Sequence, residues 1–171
     1  MITADIHALR DQFQIPGTRV LQFAFDGRSD NPHLPQNHRS NMVANTGTHD
    51  NPTSRGWSEE LPPNERQNLR RYLNSPQRDS SEVVWDLRRL GWSSPAALAI
   101  APLQDLLNLG AEARMNVPGR AEGNWSWPCT EELLSAADFH WLRDLTSDSN
   151  RLPVPSKAAM GMADPGDREQ E

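Results

Sequence analysis

Thr46-Gly47-Thr48-His49-Asp50-Asn51 is the densest run of hydrogen-bonding and titratable groups in the 171-residue chain. A histidine beside an aspartate can orient a hydroxylated substrate and hold negative charge near a positive charge that develops during reaction. A second polar run, Glu112-Ala113-Arg114-Met115-Asn116-Val117-Pro118-Gly119, leads into Gly123-Asn124-Trp125-Ser126-Trp127. Asn116 is a neutral donor and acceptor, and Trp125 and Trp127 offer flat apolar faces. Amides and carboxylates for hydroxyls, with indoles for ring faces, make a sugar-binding set. Plainer readings use the same residues. Asp50 or Asn51 ahead of Pro52 suits a helix N-cap, and both tryptophans suit a core.

Other chemistries find less support. His33 and His38 flank Pro35 and share no helix face, so they are expected as solvent-exposed loop histidines rather than metal ligands. No Gly-x-Ser-x-Gly elbow is present, nor a glycine-rich phosphate loop with its lysine. Cys129 is the single cysteine, which excludes an internal disulfide framework and a multi-cysteine zinc site. It is expected as an inert buried thiol. No cofactor or metal is expected.

The elements that must carry these runs read as α/β. Residues 3–13 suggest a helix capped by Thr3, with Ile6, Leu9 and Phe13 as its apolar stripe and Pro16-Gly17 as its stop. Residues 18–25 have the apolar content and length of a strand, and 41–45 form a weaker one leading into His49 and Asp50. Helices are expected over 63–73 and 81–90, the latter with Val84, Leu87 and Leu90 on one side. Residues 97–101 look like a third, buried strand, and Pro102 opens a helical turn through Leu109. A loop spans 110–128. A last helix covers 130–146, capped by Thr130, with Leu134, Ala137, Trp141 and Leu145 inward. Beyond Asn150 the chain is proline, glycine and charge, expected as a disordered tail over 150–171 after a structured segment over 1–149. Three strands are few for a complete domain of this kind.

Composition narrows the partners. The formal net charge is -6, against a nucleic-acid partner held by a basic field. No apolar run approaches the roughly 20 residues of a membrane span, and no basic-then-apolar leader opens the chain. A cytoplasmic location is the expectation. Fourteen prolines and ten glycines exclude long helices.

Several ordered stretches together resemble one family. Ile15-Pro16-Gly17-Thr18-Arg19-Val20-Leu21-Gln22-Phe23-Ala24-Phe25, Asn31-Pro32-His33-Leu34-Pro35 and Thr46-Gly47-Thr48-His49-Asp50-Asn51 are similar to segments of the amylomaltases, or 4-α-glucanotransferases. Pro102-Leu103-Gln104-Asp105-Leu106-Leu107, Glu112-Ala113-Arg114-Met115-Asn116 and Gly123-Asn124-Trp125 continue the match in order, over about residues 2–146. The resemblance implies part of a (β/α)8 barrel that moves α-1,4-glucan segments between glucose or maltooligosaccharide acceptors. It implies a retaining mechanism, in which a nucleophilic carboxylate and an acid/base carboxylate lie about 5–5.5 Å apart. Asp50 matches the family's third carboxylate, which stabilises the transition state. His49 and Asn116 match sugar contacts, and Phe23 falls in a strand end lining the acceptor side.

The resemblance also places the chain at about strands six to eight of the barrel, without the nucleophile and the acid/base glutamate, which belong to segments further upstream. Pro52 stands where the family usually has an acidic residue. Three expectations follow: a fragment inactive alone, one subunit of a split enzyme whose N-terminal part docks here, or a non-catalytic glucan-binding remnant. Three strands cannot close a barrel, so an isolated chain should be marginal in solution.

Overall fold

The computed structural model describes residues 3–135 and 139–152. Its sheet has three parallel strands in sequence order: β1 (Gly17–Val20), β2 (Met42–Asn45) and β3 (Leu98–Ile100). Helix α1 (Ala4–Gln12) precedes β1. Between β2 and β3 run α2 (Ser54–Glu60), α3 (Pro63–Tyr72) and α4 (Ser80–Ser93). After β3 come α5 (Leu103–Leu106), α6 (Glu131–Ser135) and α7 (Phe139–Asp148).

Pairing is in register, with Val20 beside Asn45 and Asn45 beside Ile100. All three strands therefore stop in one row. Parallel strands need long crossovers, and the connection from β2 to β3 uses α2–α4 for this. Helix α4 is held at its start by a capping box, in which the Asp79 carboxylate accepts from the Glu82 N–H and the Glu82 carboxylate accepts from the Asp79 N–H. Its inner side, Val83, Val84 and Leu87, is buried. Val83 and Leu87 join Leu21, Ala24, Phe25, Leu34, Leu61 and Leu69 in the main core.

Several expectations need correction. The first strand ends at Val20, and residues 21–23 form a 3-10 turn instead of continuing to residue 25. Leu21, Ala24 and Phe25 are the buried apolar residues there, a spacing of three and four that an extended strand cannot turn to one side. Helix α2 was not expected. Its cap is Thr53, whose Oγ1 accepts from the Gly56 N–H at 3.2 Å, and neither Asp50 nor Asn51 caps it. The α1 stripe faces solvent: Ile6, Leu9 and Phe13 are exposed and the helix buries no residue, while Thr3 makes no side-chain cap bond. The third strand is not buried, with Leu98 56% and Ile100 48% exposed. The expected helix over 130–146 is represented by α6 and α7, with Thr130 Oγ1 accepting from the Leu133 N–H. Residues 136–138, including Ala137, lie outside the described residues. So do residues 153–171 of the expected tail, whereas Arg151 donates to the carbonyls of Trp92 and Ser94 at 2.6 Å each.

The two faces of the sheet differ. Met42 and Ala44 alternate inward on one face, where they cluster with Ala96. The register puts Thr18, Val43 and Leu98 side by side on the other face. Thr18, Leu98 and Ile100 are exposed there. No helix among the described residues is long and apolar enough to cross a membrane.

Candidate functional site

Because the three strands stop in one row, the segments that leave them crowd one edge of the sheet, the position from which α/β folds project their functional groups. From β2, the Thr46 N–H extends the ladder by donating to the Ile100 carbonyl at 3.2 Å. The chain then turns sharply. Asn51 Oδ1 accepts from the Thr48 N–H at 3.0 Å and from Thr48 Oγ1 at 2.7 Å, closing a loop with His49 and Asp50 at its tip. Their side chains are 57% and 51% exposed, and His49 Nε2 lies 3.4 Å from Asp50 Oδ1.

The loop after α5 is laced onto this tip. The Asn116 N–H donates to the His49 carbonyl at 3.1 Å, and Asn116 Nδ2 donates to Asp50 Oδ1 at 2.6 Å. Arg114 spans the same two segments, donating to the Asp50 carbonyl at 2.8 Å and to the Asn116 carbonyl at 2.9 Å. Trp125 is held by its own N–H on the Met115 carbonyl at 2.7 Å. Its ring lies over His49, with centroids 5.2 Å apart and planes tilted by 37°. At 62% exposure Trp125 is no core residue. Its φ of 57° is left-handed, a conformation that non-glycine residues adopt at a cost. A cavity of about 140 Å³ opens beside the pair, lined by Thr48, His49, Pro52, Gln104, Met115 and Trp125 among others.

Phe23 lies just past the end of β1, on the same sheet edge, and is 53% exposed. Its ring packs edge-on against His33 at 5.5 Å, and it does not line the cavity beside His49. The fold thus brings His49, Asp50 and Asn116 into direct contact and sets Phe23 apart from them. His33 and His38 are not solvent-exposed loop residues: His38 is 5% exposed, and His33 Nδ1 accepts from the Val20 N–H at 3.0 Å. Burial, with Arg19 nearby, holds both imidazoles below the ordinary histidine value. They brace the loop after β1. Cys129 is exposed rather than buried. Among the described residues, no group of three or more His, Cys, Asp or Glu side chains is arranged to hold a metal.

A family model for 4-alpha-glucanotransferase, glycoside hydrolase 77, matches residues 1–134. The chain belongs to the 4-alpha-glucanotransferase family. The 4-alpha-glucanotransferase of Thermus thermophilus is 45% identical over 157 residues, covering 89% of this chain and 31% of its own. The chloroplastic/amyloplastic 4-alpha-glucanotransferase of Solanum tuberosum is 47% identical over 155 residues, covering 89% and 27%. Among solved structures, an amylomaltase from Streptococcus agalactiae in complex with acarbose aligns with a TM-score of 0.80 at 28% identity, over 90% of this chain and 31% of that one. The chain therefore spans under a third of the length of these relatives.

Within this 4-alpha-glucanotransferase-family chain, sequence reasoning underrated two residues. Arg114 was visible only as one charge in a polar run, because its partners are backbone carbonyls. Asp105 stood out in the sequence only as part of the stretch over residues 102–107, yet it is 1% exposed. A buried carboxylate has no signature in one sequence.

Proposed function

We propose that this chain supplies one wall of a glucanotransferase active site that transfers α-1,4-glucan segments to glucose or maltooligosaccharide acceptors. The Asp50–Asn116 contact at 2.6 Å carries the reading. It joins the two polar runs at the strand-end edge and sets the exposed Asp50 carboxylate next to the His49 imidazole and the Trp125 indole, which line one cavity. In a retaining mechanism positive charge grows on the sugar ring as the glycosidic bond breaks. Asp50, exposed at a loop tip yet fixed by Asn116, would hold that charge and the ring hydroxyls. His49 and Asn116 would position the hydroxyls through their remaining donors, and Trp125 would face the apolar side of a sugar ring. Phe23 would serve an acceptor further along the edge. The nucleophile and acid/base carboxylates would come from barrel segments that complete the sheet.

The chain would form about strands six to eight of that barrel. The uncovered face bearing Thr18, Leu98 and Ile100 supports this reading, since inward side chains of a closed barrel pack against one another. Whether those segments share a polypeptide with this chain or dock as a second one, the same face receives them. On this reading the 171-residue chain has no transfer activity alone.

The test replaces the matching segment of the Thermus thermophilus 4-alpha-glucanotransferase with this chain and measures disproportionation of maltotriose. The hybrid is expected to be active, and Asp50→Asn should reduce its turnover by about 10²–10³-fold, the range for losing a preorganised electrostatic contact. A folded but inactive hybrid, or an unaffected Asp50→Asn, would refute the assignment.

A further inference from the structure

The loop that carries His49 and Asp50 leaves the sheet at Thr46 and enters α2 at Ser54. Both ends meet on one buried carboxylate. Asp105 Oδ2 accepts from Thr46 Oγ1 at 2.5 Å and from Ser54 Oγ at 2.6 Å, and Asp105 Oδ1 accepts from the Ser54 N–H at 2.7 Å. Thr46 and Asp105 are each 1% exposed and Ser54 is 0% exposed. We infer that Asp105 is the positioning residue of the site: it pins both ends of the 46–54 loop and thereby fixes where His49 and Asp50 stand against the Asn116 loop.

Chemistry favours a carboxylate at this point. Three donors converge on it, and a carboxylate, with two acceptor oxygens and no donor of its own, satisfies all three at once. Asparagine would present an N–H₂ to a site already full of donors. Hydrogen bonds to an ionised acceptor are also shorter and stronger than neutral ones, which suits a loop tip that must stay fixed while exposed. A second brace acts from the β1 side, where Gln22 Nε2 donates to the Pro52 carbonyl at 3.0 Å. Asp105 itself is not among the residues lining the cavity beside His49. Its influence on a sugar would therefore be indirect.

The inference builds on the proposed glucan site, and the experiment separates the two. Side-chain amide signals of Asn116 and the ring signals of His49 are followed by NMR in the 171-residue chain, with and without maltotriose. The Trp92 indole N–H, which donates to Thr146 Oγ1 at 3.0 Å elsewhere in the fold, is the control for intact packing. Asp105→Asn is expected to shift or broaden the Asn116 and His49 signals without sugar, to leave Trp92 unchanged, and to weaken maltotriose binding about tenfold, as for a lost charged hydrogen bond. Thr46→Val and Ser54→Ala each remove one strut and should give the same signature in weaker form. Unchanged Asn116 and His49 signals in Asp105→Asn overturn the inference; if that variant does not fold, unchanged signals in both strut variants do so. A folded but inactive hybrid with the Thermus thermophilus enzyme tells against the glucan reading instead, and leaves the sugar-free comparison decisive for Asp105.

Discussion

Asn116 Nδ2 and Asp50 Oδ1 lie 2.6 Å apart although 66 residues separate them in sequence. That bond ties the loop after β2 to the loop after α5, and it consumes part of the hydrogen-bonding capacity of both residues. Asp50 keeps its second oxygen for a ligand, and Asn116 keeps its amide oxygen. The contact therefore both shapes the site and leaves it able to bind.

Asn116→Ala should release the Asp50 carboxylate while sparing the fold, since both side chains sit at the surface of the site. Maltotriose affinity is expected to drop about tenfold, with stability changed by less than about 1 kcal/mol. Calorimetric titration alongside urea unfolding checks both numbers.

Trp125→Ala removes an exposed indole whose ring overlies His49. Maltooligosaccharide binding should weaken by about tenfold, within the range seen when aromatic stacking is lost. Trp125→Phe should recover much of it, as seen by the same titration.

Gly56 of α2 packs so close to Ala111 that an added Cβ would stand 3.1 Å from the Ala111 Cα and Cβ. Gly56→Ala is expected to destabilise the chain by about 1–3 kcal/mol through overpacking. Chemical denaturation reads this directly, and an unchanged midpoint would contradict the contact.

Stability should fall on mild acidification. His33 and His38 are held below the ordinary histidine value by burial, so below about pH 6.5 the unfolded chain takes up protons that the folded chain refuses. Their contribution is complete above that pH and diminishes as the pH falls toward the folded values. Urea midpoints at about pH 7.5 and 5.5 test the sign, and His38→Gln should flatten the slope.

How much of this was legible in the sequence depends on what each residue touches. Helix α4 could be read because Val84, Leu87 and Leu90 repeat at helical spacing, although the Asp79 capping box moves its start ahead of residue 81. The strand over 18–25 was overextended because apolar content cannot distinguish extended Leu21–Phe25 from a turn that buries Leu21, Ala24 and Phe25 together. Helix α2 was missed since it buries Ser54, Gly56 and Ser58, small residues that carry no apolar period. The polar runs around His49 and Asn116 were visible as runs. Their meeting through Arg114 and Asp50 was not, because backbone acceptors and long-range contacts leave no local pattern.

Arg88 behaves similarly. It is 1% exposed, its guanidinium lies 4.0 Å from the Trp85 ring centroid and 5.0 Å from that of Trp141, and burial lowers its pKa to about 10. It therefore stays charged at neutral pH. Arg88→Ala should cost about 3 kcal/mol by leaving a cavity between α4 and α7 and removing a buried cation near Asp105. Thermal and urea unfolding give the measure.

The register that pairs Val43 with Leu98 has a kinetic side. Strand β2 finds its second neighbour only after the whole α2–α4 segment has been made, and closing such long-range parallel pairs is slow compared with forming helices. While it waits, β2 stands as a bare edge that any passing extended segment can occupy. The order of synthesis thus leaves the β2 edge bare until Leu98 emerges, and pairing with β3 then passes the open edge to β3 rather than removing it.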